Sequence, residues 1–144
     1  MQTVTFSIFR GKPDQDGDPF GKMVDYTIDL DEGMVVLDAI HSIQAEYAPD
    51  LACRWNCKEG KCGSCSAEVN GKSRLMCMTR MDDILEETPE GESVVIRPMQ
   101  TFPLVRDLVS DTSWAYETDR RIDPISGPGE VDWEYYQHEA DRIQ

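Results

Sequence analysis

Basic residues are scarce in this chain. Its 144 residues hold 14 Lys plus Arg against 28 Asp plus Glu, a formal net charge of −14. Nucleic-acid backbones and anionic lipid surfaces repel such a molecule, which excludes both as its main direct partner. Long apolar runs are missing too, and none approaches the ~20 residues of a membrane span. The start, MQTVTFSIFRGK, lacks the basic head and apolar stretch of a secretory signal, so a cytoplasmic location is expected. Histidine is nearly absent. His41 falls in a helical pattern, where a place on the polar face is expected, and His138 sits near the end; neither has metal-ligand spacing. No acid–base constellation is visible, so no catalytic site is expected in this chain.

What is present suffices for one globular domain and a tail, since 40% of the residues are hydrophobic. Thr3 to Arg10 alternates with Val4, Phe6 and Ile8 on one face, the period of a half-buried strand. Met23 to Leu30 repeats that period through Val24, Tyr26, Ile28 and Leu30. Gly11 to Lys22, rich in Gly, Pro and Asp, reads as the loop between them. After Gly33 the period changes. Val36, Ile40, Ile43 and Tyr47 make one stripe of an amphipathic helix that Pro49 cannot continue. Asn70-Gly71 then predicts a tight hairpin between Ser66–Val69 and Lys72–Cys77, and Ser93 to Arg97 predicts a last strand. Strand, strand, helix, loop, hairpin, strand fits an α+β fold: a mixed β-grasp sheet crossed by one helix.

From about Ser110 the composition shifts to nine acidic residues against three basic ones, with a Pro/Gly loop from Asp123 to Glu130. Yet Trp114, Tyr116, Trp133, Tyr135 and Tyr136 lie in this stretch, so it is expected to pack on the domain or on a partner. The sequence thus divides into a domain over 1–108 and a tail over 109–144.

Five cysteines, Cys53, Cys57, Cys62, Cys65 and Cys77, are an odd set for disulfides and, in a reducing compartment, read as ligands or thiols. From Cys57 the spacing is C-x4-C-x2-C-x11-C. Four thiolates can hold one [2Fe–2S] cluster, and the first three have plant-type ferredoxin spacing. Three sulfurs from nine residues can converge only if the backbone curls tightly, and Gly60 and Gly63 permit that. The fourth returns from the far strand of the hairpin. Structural zinc is the competing reading, but it usually takes two short cysteine pairs, whereas here Cys77 stands alone. A second register, Cys53, Cys57, Cys62 and Cys65, lacks the return from the hairpin and is disfavoured. Cys53 is left as a buried or reactive free thiol.

The segment RWNCKEGKCGSCSAEVNGKSRLMCMTRM resembles the [2Fe–2S] region of the iron–sulfur subunit of succinate dehydrogenases and fumarate reductases. The likeness extends upstream through EGMVVLDAIHSIQ and downstream through RPMQTFPLVRDLVSDTSWAYE. It implies a [2Fe–2S] cofactor on Cys57, Cys62, Cys65 and Cys77, with electrons taken from a flavoprotein (FAD) subunit that oxidises succinate. It also implies onward transfer through a [4Fe–4S]/[3Fe–4S] domain or subunit to quinone, and peripheral placement on the inner face of the cell membrane through partner subunits. The cysteines of that second cluster domain are not in this sequence, and EYYQHEADRIQ resembles the linker into it. A standalone ferredoxin serving another redox partner is the alternative.

Charge is also uneven. Between Cys53 and Arg80, Arg54, Lys58, Lys61, Lys72, Arg74 and Arg80 face only Glu59 and Glu68, a balance of +4 within a chain of −14. A cationic surround would favour the reduced cluster and could form a docking face. Trp55, Met76, Met78 and Met81 flank the ligands, where core packing is the expected role. The acidic runs Asp14–Asp18 and Glu86–Glu92 are expected as solvated loops.

Overall fold

The computed structural model describes residues 2–122. The expectations on Asp123–Glu130, Trp133, Tyr135, Tyr136 and His138 lie outside the described residues. Strands β1 (Gln2–Pro13) and β2 (Pro19–Leu30) pair antiparallel along their whole length. The alternation of β1 puts Val4, Phe6 and Ile8 into the core, as its period predicts. Gly11–Lys22 is not a long loop. Gly11 pairs with Gly21, and the turn shrinks to the residues between Pro13 and Pro19. The reason is close approach: a Cβ on Gly11 or Gly21 would lie 2.9 or 2.8 Å from the Phe9 ring, so two facing glycines let that ring lie across the hairpin.

Helix α1 (Val36–Glu46) follows the predicted stripe, with Val36, Ile40 and Ile43 fully enclosed and Tyr47 just past its end. Strands β3 (Ser66–Val69) and β4 (Lys72–Leu75) flank Asn70 and Gly71, whose φ values of 49° and 76° are those of the tight hairpin turn. Helix α2 (Met81–Glu87), which the sequence reading did not anticipate, takes up Glu86 and Glu87 from the supposed acidic loop and buries Met81 and Ile84. Strand β5 (Val94–Arg97) then runs parallel to β1 and antiparallel to β3. The resulting sheet, ordered β2-β1-β5-β3-β4, is mixed. With α1 and α2 it encloses one apolar core, the β-grasp arrangement.

A short hairpin, β6 (Leu104–Arg106) and β7 (Val109–Ser110), follows, turning through Asp107 at φ 48°. The chain divides into two compact units, one ending at Thr112 and one starting at Ser113. The second contains helix α3 (Ser113–Arg121), whose Thr118 hydroxyl donates to the Trp114 carbonyl. Among the described residues no helix is long and apolar enough to cross a membrane.

Candidate iron–sulfur site

Between α1 and β3 the chain runs without regular structure from Leu51 to Cys65, and three residues in the left-handed region curl it: Lys58 (φ 54°), Gly60 (φ 71°) and Gly63 (φ 72°). The curl turns peptide donors inward. Cys57 Sγ accepts from the N–H groups of Glu59 (3.4 Å), Lys61 (3.3 Å) and Cys62 (3.3 Å). Three peptide donors thus converge on one sulfur. Hydrogen bonds from Ser64 and then Cys57 pull the Cys62 thiol down to about 6. Cys65 lies deeper, where burial pushes its thiol up, and its Sγ accepts from the N–H of Cys77 at 3.4 Å.

Cys77 follows β4 directly, and α1 fixes it there. The helix N-terminus has no polar side chain at its cap. Its first free N–H groups, on Val36 and Leu37, donate instead to the carbonyls of Thr79 (2.9 Å) and Met76 (3.0 Å). Met81 N–H donates back to the Met34 carbonyl at 3.0 Å, closing the turn around the cysteine. The thiols thus fall into two neighbouring pairs, Cys57 with Cys62 and Cys65 with Cys77, the first half-exposed and the second buried. A [2Fe–2S] cluster takes two thiolates on each of two irons, and two neighbouring pairs of thiols fit that donor set.

Cys53 packs against the core rather than with the curl; burial and the nearby Cys65 push its thiol up to about 12. Met76 and Met81 are core residues, as expected. Met78 is not. It is 57% exposed and lies over the loop, its Cγ 2.8 Å from where a Cβ on Gly60 would stand. His41 also departs from expectation. The ligand loop folds back over the outer flank of α1, so its ring stands edge-on to Trp55 at 5.1 Å and its Nε2 is enclosed without a hydrogen-bond partner. Burial and the Lys58 charge lower its pKa. Lys58 Nζ in turn sits 4.7 Å from the Trp55 ring centroid.

About half of the positive balance counted along the sequence is neutralised in space, by Glu87 and Asp82. Lys61 pairs with Glu59, Lys72 and Arg74 both reach Glu87, and Arg80 reaches Asp82. Asp82 and Glu87 belong to α2, just past the counted window, and the fold brings Glu87 beside β4. Two further site features escaped sequence reading: the carbonyls of Met76 and Thr79, because any residue supplies a carbonyl, and Asp107, described below.

A mixed β-grasp sheet with four thiols at one end defines an iron–sulfur protein of the ferredoxin-like class. The model of the 2Fe-2S iron-sulfur cluster binding domain matches residues 5–117, and the chain belongs to that family. The succinate dehydrogenase iron-sulfur subunit of Coxiella burnetii is 34% identical over 123 residues, covering 84% of this chain and 48% of the relative. That of Paracoccus denitrificans is 36% identical over 140 residues, covering 95% and 51%. A chain of the Mycobacterium smegmatis Sdh1 complex in the apo form superposes with a TM-score of 0.74 at 47% identity, covering 90% of this chain and 51% of that one. A hypothetical protein from Helicobacter pylori, at TM-score 0.54 and 15% identity, shares the fold alone. The chain spans about half the length of the curated relatives it matches.

Proposed function

We propose that Cys57, Cys62, Cys65 and Cys77 hold the [2Fe–2S] cluster. We further propose that the chain relays single electrons as the iron–sulfur subunit of a succinate dehydrogenase or fumarate reductase, or as its N-terminal domain. The observation that carries the ligand assignment is the pairing of Cys57 with Cys62 and of Cys65 with Cys77, with three peptide N–H groups aimed at one sulfur. When bound, the cluster supplies one-electron redox chemistry. The chain's own residues do the rest. Peptide donors around Cys57 stabilise negative charge at the exposed pair. Core packing keeps water from Cys65 and Cys77, which are 3% and 7% exposed. Trp55 and Met78, about half exposed beside the exposed pair, form the surface on which an electron donor docks.

The curated relatives are named succinate dehydrogenase iron-sulfur subunits, which supports other subunits of such a complex as partners. The resemblance of the cysteine segment implies a flavoprotein (FAD) subunit as that donor and a [4Fe–4S]/[3Fe–4S] domain or subunit as the acceptor, with the membrane reached only through partner subunits. The full chain, reduced anaerobically, should show the electron paramagnetic resonance signal of a one-electron-reduced [2Fe–2S] centre. It should also copurify with a flavin-containing subunit from its native host. Cys57→Ser, Cys62→Ser, Cys65→Ser and Cys77→Ser should each abolish or reshape the signal, while Cys53→Ser should keep it. Zinc with no iron would refute the cluster. Iron with a different redox partner would instead establish the standalone ferredoxin.

A further inference from the structure

The Asp107 carboxylate is buried in the β6–β7 turn, its side chain only 3% exposed. Its Oδ1 accepts from the Gly11 N–H at 2.9 Å and its Oδ2 from the Ala52 N–H at 2.8 Å. The backbone repeats both links: Asp107 N–H donates to the Gly11 carbonyl at 2.8 Å and Leu108 N–H to the Ala52 carbonyl at 3.2 Å. Both peptide groups of Ala52 are therefore held by the β6–β7 turn. Arg10 holds the carboxylate from the sheet side, its Nε 3.3 Å from Oδ1, while its other nitrogens donate to Tyr26 Oη (2.8 Å) and Asp50 Oδ2 (2.6 Å). Arg106 closes the group with a bond to the Asp50 carbonyl at 3.3 Å.

Ala52 stands at the root of the ligand loop, next to buried Leu51. The next residue is Cys53, which packs into the core, and Cys57 follows four further on. No helix or strand fixes this stretch, so its path depends on a few contacts: those of the Ala52 peptide, of Cys53 with the core and of Trp55 with His41. We propose that Asp107 is a positioning residue for the iron–sulfur loop: by binding the Ala52 peptide while anchored to Gly11 and Arg10, it sets where the loop starts and so how the thiols of Cys57 and Cys62 meet the cluster. The inference rests on the assignment of the cluster to the four thiols. It differs from a purely stabilising ion pair because the carboxylate binds the Ala52 peptide itself, whereas Arg10 reaches the loop root only through the Asp50 side chain.

Two variants of the cluster-loaded full chain separate these roles. Asp107→Asn retains the size of the side chain but cannot accept from both N–H groups and loses the charge that faces Arg10. It should shift the g-values of the reduced cluster and speed iron loss to a chelator on the order of tenfold, the lower end of what replacing outer-shell partners costs. Arg10→Lys should lower the melting temperature yet leave the g-values in place. Hydrogen exchange of the unmodified chain should show a protected Ala52 amide in a stretch without regular structure. Unchanged g-values and iron loss in Asp107→Asn, equal shifts in Arg10→Lys, or an unprotected Ala52 amide would overturn the inference. An unmodified chain lacking the reduced-cluster signal would overturn the cluster assignment and this inference with it.

Discussion

His41 links the ligand loop to acid. Unfolded, its imidazole binds a proton near 6.5; folded, burial and Lys58 lower that value, with Asp38 opposing them. Between the two values the unfolded chain binds more protons, so the contribution of neutral His41 is complete above 6.5 and is lost as pH falls through the folded value. Melting curves from about pH 7.5 to about 5 should therefore show the unmodified chain losing more stability than His41→Gln, which does not titrate. Lys58 is the cation to change for the potential, because Lys61 is already paired with Glu59. Lys58→Gln should lower the midpoint by tens of millivolts in redox titration. That is well under the ~90 mV of an unscreened charge ~8 Å away at an effective dielectric constant of ~20. At this scale the sequence was legible where chemistry needs a rare residue at fixed spacing, as with the cysteines. It was opaque for Asp107, since one more Asp in an acidic chain carries no mark of the two peptide groups it binds.

Among the elements, the hairpin at Asn70-Gly71 and helix α1 could be read because turn chemistry and a helical stripe each span enough residues to show their period. Helix α2 is only 7 residues long, too short for its buried Met81 and Ile84 to stand out from an acidic run. The β1–β2 hairpin was cut short in the reading because Gly and Pro usually break strands, yet Gly11 and Gly21 face each other beneath Phe9. The ligand loop offers a sharper comparison. Gly60→Ala and Gly63→Ala both impose a left-handed side chain, at roughly 1–2 kcal/mol each. Only at Gly60 does the new Cβ also meet Met78, at 2.8 Å, while at Gly63 nothing lies within 4 Å. Iron content per chain and urea midpoint should fall further in Gly60→Ala, and Gly60→Ala combined with Met78→Ala should recover the difference but not the common loss.

For the whole molecule, the net charge of −14 is background repulsion rather than a binding signal. Exposed ion pairs such as Lys61–Glu59 offset little of it. Salt screens the many long-range repulsions more than it costs the few pairs. The melting temperature should therefore rise by several degrees between about 0.02 and 0.5 M sodium chloride, and a fall would show that the pairs matter more. The latch between α1 and the turn around Cys77 has a consequence in time. Cys57, Cys62 and Cys65 are neighbours in sequence and can meet iron on a chain that has not finished folding. Cys77 reaches them only once the hairpin has formed and the helix has taken the Met76 and Thr79 carbonyls. On the proposed ligand set, a complete four-thiolate site is expected only on a folded domain, with cluster assembly after folding. Stopped-flow far-UV circular dichroism and visible absorbance during assembly should show helix formation ahead of the visible band, with Val36→Pro, which deletes one latch donor, delaying the second far more than the first.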